Sequence, residues 1–230
     1  MALTAANIAA IARETVAETL SRGRAGVPEA REIRRRLSAR LKPESGADVL
    51  AIGLAIASAP EMKTARARWV GWELIVQHKG AVAGLDLAMV MALGAGNSSW
   101  DEVDGYGLYI AGPAWLRGLI SDADVLAWTA SPDLWRRRAA LVATVVLNSK
   151  THGGAGDVRR TLMIAEHLAA DHEDMIVKAL SWAVRTLVQW DRAAVEDFLV
   201  RHDGDLAARV KREVRAKLRT GRKNQKKPAP

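Results

Sequence analysis

A chain of 230 residues with 49% hydrophobic content is long enough to bury one sizeable core, and nothing in its length demands two domains. Its longest apolar stretch, 49–57, contains Gly53 and is too short to span a membrane, and the lack of cysteine excludes disulfide, thiolate and iron–sulfur chemistry. The net charge of +8 is concentrated at one end: residues 209–227 hold ten basic side chains against Glu213 alone, so the preceding 208 residues sum to −1. No Lys/Arg-led signal peptide opens the chain, so the expected compartment is the cytoplasm, on the nucleoid in a bacterium.

Helical periodicity runs through nearly every segment between Gly or Pro breaks, and no strict alternation lasts long enough for a strand, which predicts an all-α protein. Ile8, Ile11, Thr15 and Thr19 give a first helix its inner face, ending near Gly23. A second starts at Pro28, runs through Ile33, Leu37 and Leu41, and stops at Pro43. A third follows Ser45, and a fourth opens at Pro60-Glu61, carries Trp69, Trp72, Ile75 and Val76 on one side, and ends at His78-Lys79-Gly80. Further helices are expected over 82–93, 101–110, 113–120, 122–129, 132–149, 157–170, 173–189, 192–201 and 206–219. Short connectors between consecutive helices predict antiparallel pairs, and a chain of such pairs favours a solenoid over a closed bundle. The expected organisation is one domain over 1–220 and a basic, disordered tail over 221–230.

Three segments carry chemistry. In Ser99-Trp100-Asp101-Glu102-Val103-Asp104 a helix sets Trp100 and Asp104 one turn apart on the same face, an indole beside a carboxylate, which suits a cation. Segment 134–141 carries Arg136, Arg137 and Arg138 with apolar residues behind them. Lys178, Trp182 and Arg185 fall on one side of a later helix, an aromatic ring among basic groups as a nucleic-acid surface requires. Because the body is nearly neutral, DNA binding must rely on local clusters: Arg31, Arg34, Arg35, Arg36 and Arg40; Lys63, Arg66 and Arg68; Arg136 to Arg138; Arg159 and Arg160.

These segments, in this order and at this separation, together with Val210-Lys211-Arg212-Glu213, resemble the DNA alkylation repair family of AlkD-like glycosylases. The resemblance is clearest over 98–218; the first ninety residues match only in helical character. It implies a HEAT-like α-solenoid of antiparallel helix pairs with a curved concave surface, acting on double-stranded DNA that contains alkylated bases. The reaction it implies is excision of cationic N3- or N7-alkylated purines to leave an abasic site, with no cofactor, no metal and no membrane, by a monomer. Such a base is already a good leaving group, so the enzyme needs a carboxylate near the anomeric carbon to stabilise the sugar cation and orient water, and aromatic faces to assist. By resemblance Asp104 is that carboxylate, Trp100 and Trp182 are the aromatic walls, and Arg138 is a phosphate-side contact; Arg137, Lys178, Arg185, Lys211 and Arg212 complete the expected DNA contacts. The family pattern commonly has two tryptophans before the acid pair, and the first is here Ser99, which predicts a wider or weaker groove at that point. The resemblance also implies that the lesion rests against an open surface rather than in a closed base pocket.

Trp69, Trp72, Trp115, Trp128, Trp135 and Trp190 read as packing residues. Tyr106 and Tyr109 lend an aromatic edge or simply pack. Gly94-Ala95-Gly96-Asn97 lacks a phosphate loop's third glycine and reads as a turn, and Gly153-Gly154-Ala155-Gly156 reads as a linker between helices. His167 and His172, five apart, share no helical face, so metal binding is not expected, and Asp171 reads as an N-cap. Two alternatives remain at this level: a helical-repeat DNA-binding protein without efficient catalysis, and a protein-interaction scaffold, which a shallow salt dependence of DNA affinity would favour.

Overall fold

The computed structural model describes residues 2–22, 27–64 and 67–222, and among these every regular element is helical. No described helix is long and apolar enough to cross a membrane. The expected end of the first helix at Gly23, the cation Arg66 and the tail from 223 onward lie outside the described residues. The chain divides into two compact units, Met1–Ile120 and Ser121–Pro230.

In the first unit, Thr4 and Asn7 form a reciprocal capping box that starts α1 (Ala5–Ser21). After α2 (Val27–Arg40), Ser45 accepts from the Asp48 N–H and starts α3 (Gly46–Ser58). Then come α4 (Pro60–Thr64), α5 (Trp69–Gln77), α6 (Lys79–Ala83), α7 (Leu87–Gly94), α8 (Trp100–Tyr106) and α9 (Gly112–Leu116). Alternate helices stack: α1 on α3 and α3 on α5, with α2 lying against α1 and α5. This alternation is how a solenoid buries apolar faces that single helices cannot bury alone. The α3–α5 contact is backbone to backbone, since a Cβ on Gly71 would lie 2.6 Å from the Gly53 carbonyl oxygen.

Three expected boundaries are corrected. The helix expected to run from Pro60 to His78 is broken into α4 and α5, and the break lets Arg68 turn inward. The helix expected over 82–93 is two, because the His78 ring accepts from Ala81 N–H at the start of α6 and the Asp86 carboxylate accepts from Met89 N–H at the start of α7. Conversely, the helices expected over 101–110 and 113–120 form one run: a π turn, Gly107–Ala111, joins α8 to α9 through a Gly112 N–H to Gly107 carbonyl bond. Pro113 sits in the first turn of α9, directly after the π turn, and the run passes through it.

The second unit consists of α10 (Asp122–Trp128), α11 (Leu134–Leu147), α12 (Val158–His167), α13 (Asp174–Leu187), α14 (Arg192–Arg201) and α15 (Ala208–Thr220). Here α11 packs on α13 and α13 on α15, while α10 and α12 lie against α11. Val142, Val146, Ile164, Leu180, Val184, Phe198 and Val214 are buried at its centre. Buried Asn148 holds the 148–157 connection, donating to the Thr144 carbonyl and the Thr161 hydroxyl and accepting from Asp157 N–H. The Gly153 to Gly156 run lies in the linker between α11 and α12, as expected, and Gly221, at φ 69, ends α15 as only glycine does freely.

Candidate functional site

The first unit holds a cavity of about 300 Å³ beside the first of the marked segments. Asp101, Glu102 and Asp104 of α8 line it, with Gly105, and the π turn adds Leu108 and Tyr109. Trp69 and Trp72 of α5 complete the aromatic wall, and Arg31 and Arg68 supply its cations. Trp100 stands outside this lining, at the first position of α8, with 56% of its surface exposed. Trp69 and Trp72 border the cavity, and Trp72 packs as expected, buried and edge-on to Tyr106 at 6.1 Å. Tyr106 is a packing residue whose hydroxyl donates to the Val90 carbonyl, whereas Tyr109 faces the cavity.

Both cavity arginines are occupied by protein acceptors. Arg68, only 4% exposed, donates from Nε to the Ala57 carbonyl (2.9 Å), from Nη1 to the Ala95 carbonyl (3.1 Å) and Asn97 Oδ1 (2.9 Å), and from Nη2 to the Leu93 carbonyl (2.6 Å). Burial lowers its pKa, opposed by the nearby Glu102 charge. Arg31 donates to Glu73 Oε1 (3.1 Å) and to the Tyr109 hydroxyl (3.2 Å), and Arg34 takes the other oxygen of the buried Glu73 (3.1 Å). Burial first, and then the Glu73 charge, raises the Tyr109 pKa.

At the position of the missing tryptophan, Ser99 is buried. It is 7% exposed, and its hydroxyl donates to Glu102 Oε2 (3.2 Å), which also accepts from Ser98 N–H (3.1 Å) and Ser98 Oγ (3.3 Å). The side chain at this position is thus buried and bonded to Glu102 within the first turn of α8. Glu102, 5% exposed, keeps its other oxygen, Oε1, buried without a hydrogen-bond partner, as does Trp72 its Nε1.

In the second unit the expected DNA contacts divide by exposure. Arg138 is 5% exposed and its Nη1 donates to the Met175 carbonyl, which binds α11 to α13. Arg137 is drawn to Asp171 Oδ2 (2.8 Å) and to the Ser131 and Pro132 carbonyls (2.9 and 3.1 Å). Asp171 is not the N-cap: that place is Glu173, whose N–H Asp171 accepts (3.1 Å). On α13, Lys178 pairs with Asp174 (2.6 Å), Trp182 is half-buried, and Arg185 donates to the Ser181 carbonyl (3.0 Å), 3.9 Å from the Glu213 carboxylate. Burial lowers the Arg185 pKa against the opposing pull of Glu213. Glu213 also accepts from Ser181 Oγ (2.7 Å) and Arg209 Nε (3.2 Å), and Arg209 reaches Asp174 (3.2 Å). Arg209, which the sequence reading did not single out, thus shares two carboxylates with Lys178 and Arg185. Lys211 donates to the Asp203 carbonyl (2.7 Å), and Arg212 is exposed. His167 and His172 contact the Met163 and Asp205 carbonyls respectively.

A family model for DNA alkylation repair enzymes matches residues 8–218. The chain belongs to that family. The match takes in the early helices, so the resemblance seen over 98–218 extends across both units of this DNA alkylation repair protein. The family acts in repair of alkylated DNA, and DNA is the substrate it implies. Searches of curated proteins and of solved structures each found no match.

Proposed function

We propose that this member of the family is a monofunctional DNA glycosylase that excises cationic N3- or N7-alkylated purines and leaves an abasic site. The observation that carries the reading is the position of Asp104: it lines an aromatic-walled, acid-rich cavity, one helical turn from the exposed indole of Trp100. As the bond to the charged base lengthens, positive charge moves onto the sugar. The Asp104 carboxylate stabilises that charge and orients the attacking water, and the Trp100 face stabilises it through its quadrupole. No acid is needed for the departing base and no cofactor for the chemistry. Trp182 is an aromatic contact of the bound DNA, and Lys178, Arg185, Lys211 and Arg212 are its phosphate contacts, with Arg137 and Arg138 ordering the helices that carry them. The protein acts as a cytoplasmic monomer.

The test is single-turnover release of 7-methylguanine from a defined duplex at saturating protein. Wild type excises, and Asp104→Asn is slowed by about 10²-fold or more while its DNA affinity is kept. Tight binding with no excision, on this or a more labile 3-methyladenine duplex, identifies a DNA-binding repeat protein instead.

A further inference from the structure

We infer that Lys178 and Arg209 form a phosphate site for the DNA backbone, and that the Asp174 carboxylate fills this site in the free protein and is displaced when DNA binds. The inference rests on the DNA contacts of the reading above and does not depend on excision.

Cations from three helices converge on Asp174. Lys178 of α13 reaches its Oδ2 (2.6 Å), and Arg209 of α15 reaches its Oδ1 (3.2 Å). The charge of Arg138, on α11, also acts on it. Both α11 and α15 pack on α13, so the fold itself brings these positive groups together. Their mutual repulsion calls for an anion at the centre. The Asp174 carboxyl is held below its ordinary pKa by the Lys178 hydrogen bond first, and by the charges of Lys178, Arg209 and Arg138, against the opposing effect of burial. It is therefore ionised at neutral pH, with the single negative charge that a backbone phosphate also carries.

Arg209 is held by two carboxylates of different kinds. The Glu213 side chain is 6% exposed and accepts from Arg209 Nε (3.2 Å), whereas the Asp174 side chain, on Nη1, is 61% exposed. Ion pairs in water are weak and exchange readily, while a buried partner is costly to remove. A phosphate can thus replace Asp174 with Glu213 still anchoring the guanidinium, so Nη1 stays aimed at the incoming oxygen. A planar guanidinium fixed at one edge in this way suits phosphate recognition. Asp174, Lys178 and Trp182 follow at spacings of four along α13, which puts the site on the same stripe as the indole assigned to DNA. As an internal competitor Asp174 weakens the grip on every duplex. Such a brake limits nonspecific binding by a chain whose residues 209–227 hold ten basic side chains.

The test is the affinity of the full chain for an undamaged duplex, followed by fluorescence anisotropy across a salt series. Asp174→Asn binds about tenfold tighter than wild type, with a log–log salt slope steeper by about one, because one more net positive charge faces the backbone. Arg209→Ala binds more weakly than wild type, and in that background Asp174→Asn gains less, since one of the two cations it would release is gone. A carboxylate with a merely structural role gives the opposite sign, as its loss disorders Lys178 and Arg209. If Asp174→Asn is unfolded by circular dichroism, Asp174→Ser takes its place with the same readout. Unchanged or weaker binding by the folded variant overturns the inference, and so does an undiminished gain in the Arg209→Ala background, which would mark a general charge effect. Either result, in a protein that binds duplex, leaves the reading above standing; a wild type with no salt-dependent binding overturns both.

Discussion

The Arg68 guanidinium lies over the Trp72 indole, 5.1 Å from the ring centroid, while its nitrogens hold acceptors on three segments of the first unit. One buried side chain thus fixes both the wall of the cavity and the loop before α8. Arg68→Met keeps most of the volume but leaves those acceptors unpaired. It is expected to lower stability by about 3 kcal/mol, read from the urea midpoint.

Ser181 and Glu213 tie α13 to α15 at 2.7 Å, and Glu213 also holds Arg209 and faces Arg185. Glu213→Ala leaves cations without their counter-charge in a mostly buried setting. The expected loss is about 3 kcal/mol by chemical denaturation, and Glu213→Gln, which keeps the hydroxyl bond, loses less.

Arg212 and Arg138 should separate in their effects. Exposed Arg212, truncated to Ala, leaves the melting temperature unchanged and reduces the log–log salt slope of DNA affinity by about one. Buried Arg138, truncated to Ala, weakens binding to damaged and undamaged duplexes alike and also lowers the melting temperature, because it leaves the Met175 carbonyl without this donor.

Restoring a tryptophan at position 99 tests why serine is there. Ser99 is buried and bonded to Glu102, so Ser99→Trp overfills the start of α8 and costs about 1–3 kcal/mol. Excision at saturating protein should fall with it; a stable and faster Ser99→Trp enzyme would return position 99 to the groove.

The His152 ring lies near the Ser149 and Thr151 hydroxyls, and burial lowers its pKa below the ordinary 6.5. The unfolded chain binds that proton more readily than the folded one between the lowered value and 6.5, so folding weakens as pH falls through this window. The melting temperature should drop on acidification below 6.5, and His152→Gln should flatten that part of the curve.

Much was legible in the sequence because it is local. Spacings of three, four and seven gave the all-helical class, Ser45 and Pro60 marked helix starts, and the Trp100–Asp104 turn with the later basic segments pointed to the family that the chain proves to join. The single helix expected from Pro60 to His78 is two, and Arg68 at the break bonds to acceptors up to 29 residues away, which no local spacing shows. Trp69 and Trp72 read as packing because an indole on an apolar face looks the same whether a neighbouring helix or a cavity lies beyond it. Glu102 and Arg138 carried no sign of their burial, for charge in a sequence does not tell which side of a helix faces water. The sequence by itself determined helix, cap and family, which follow from interactions within a turn or two. Only the tertiary structure decided which charges are buried, which arginines bind protein rather than solvent, and that a cavity opens beside Asp104, because each depends on groups that meet across helices far apart in the chain.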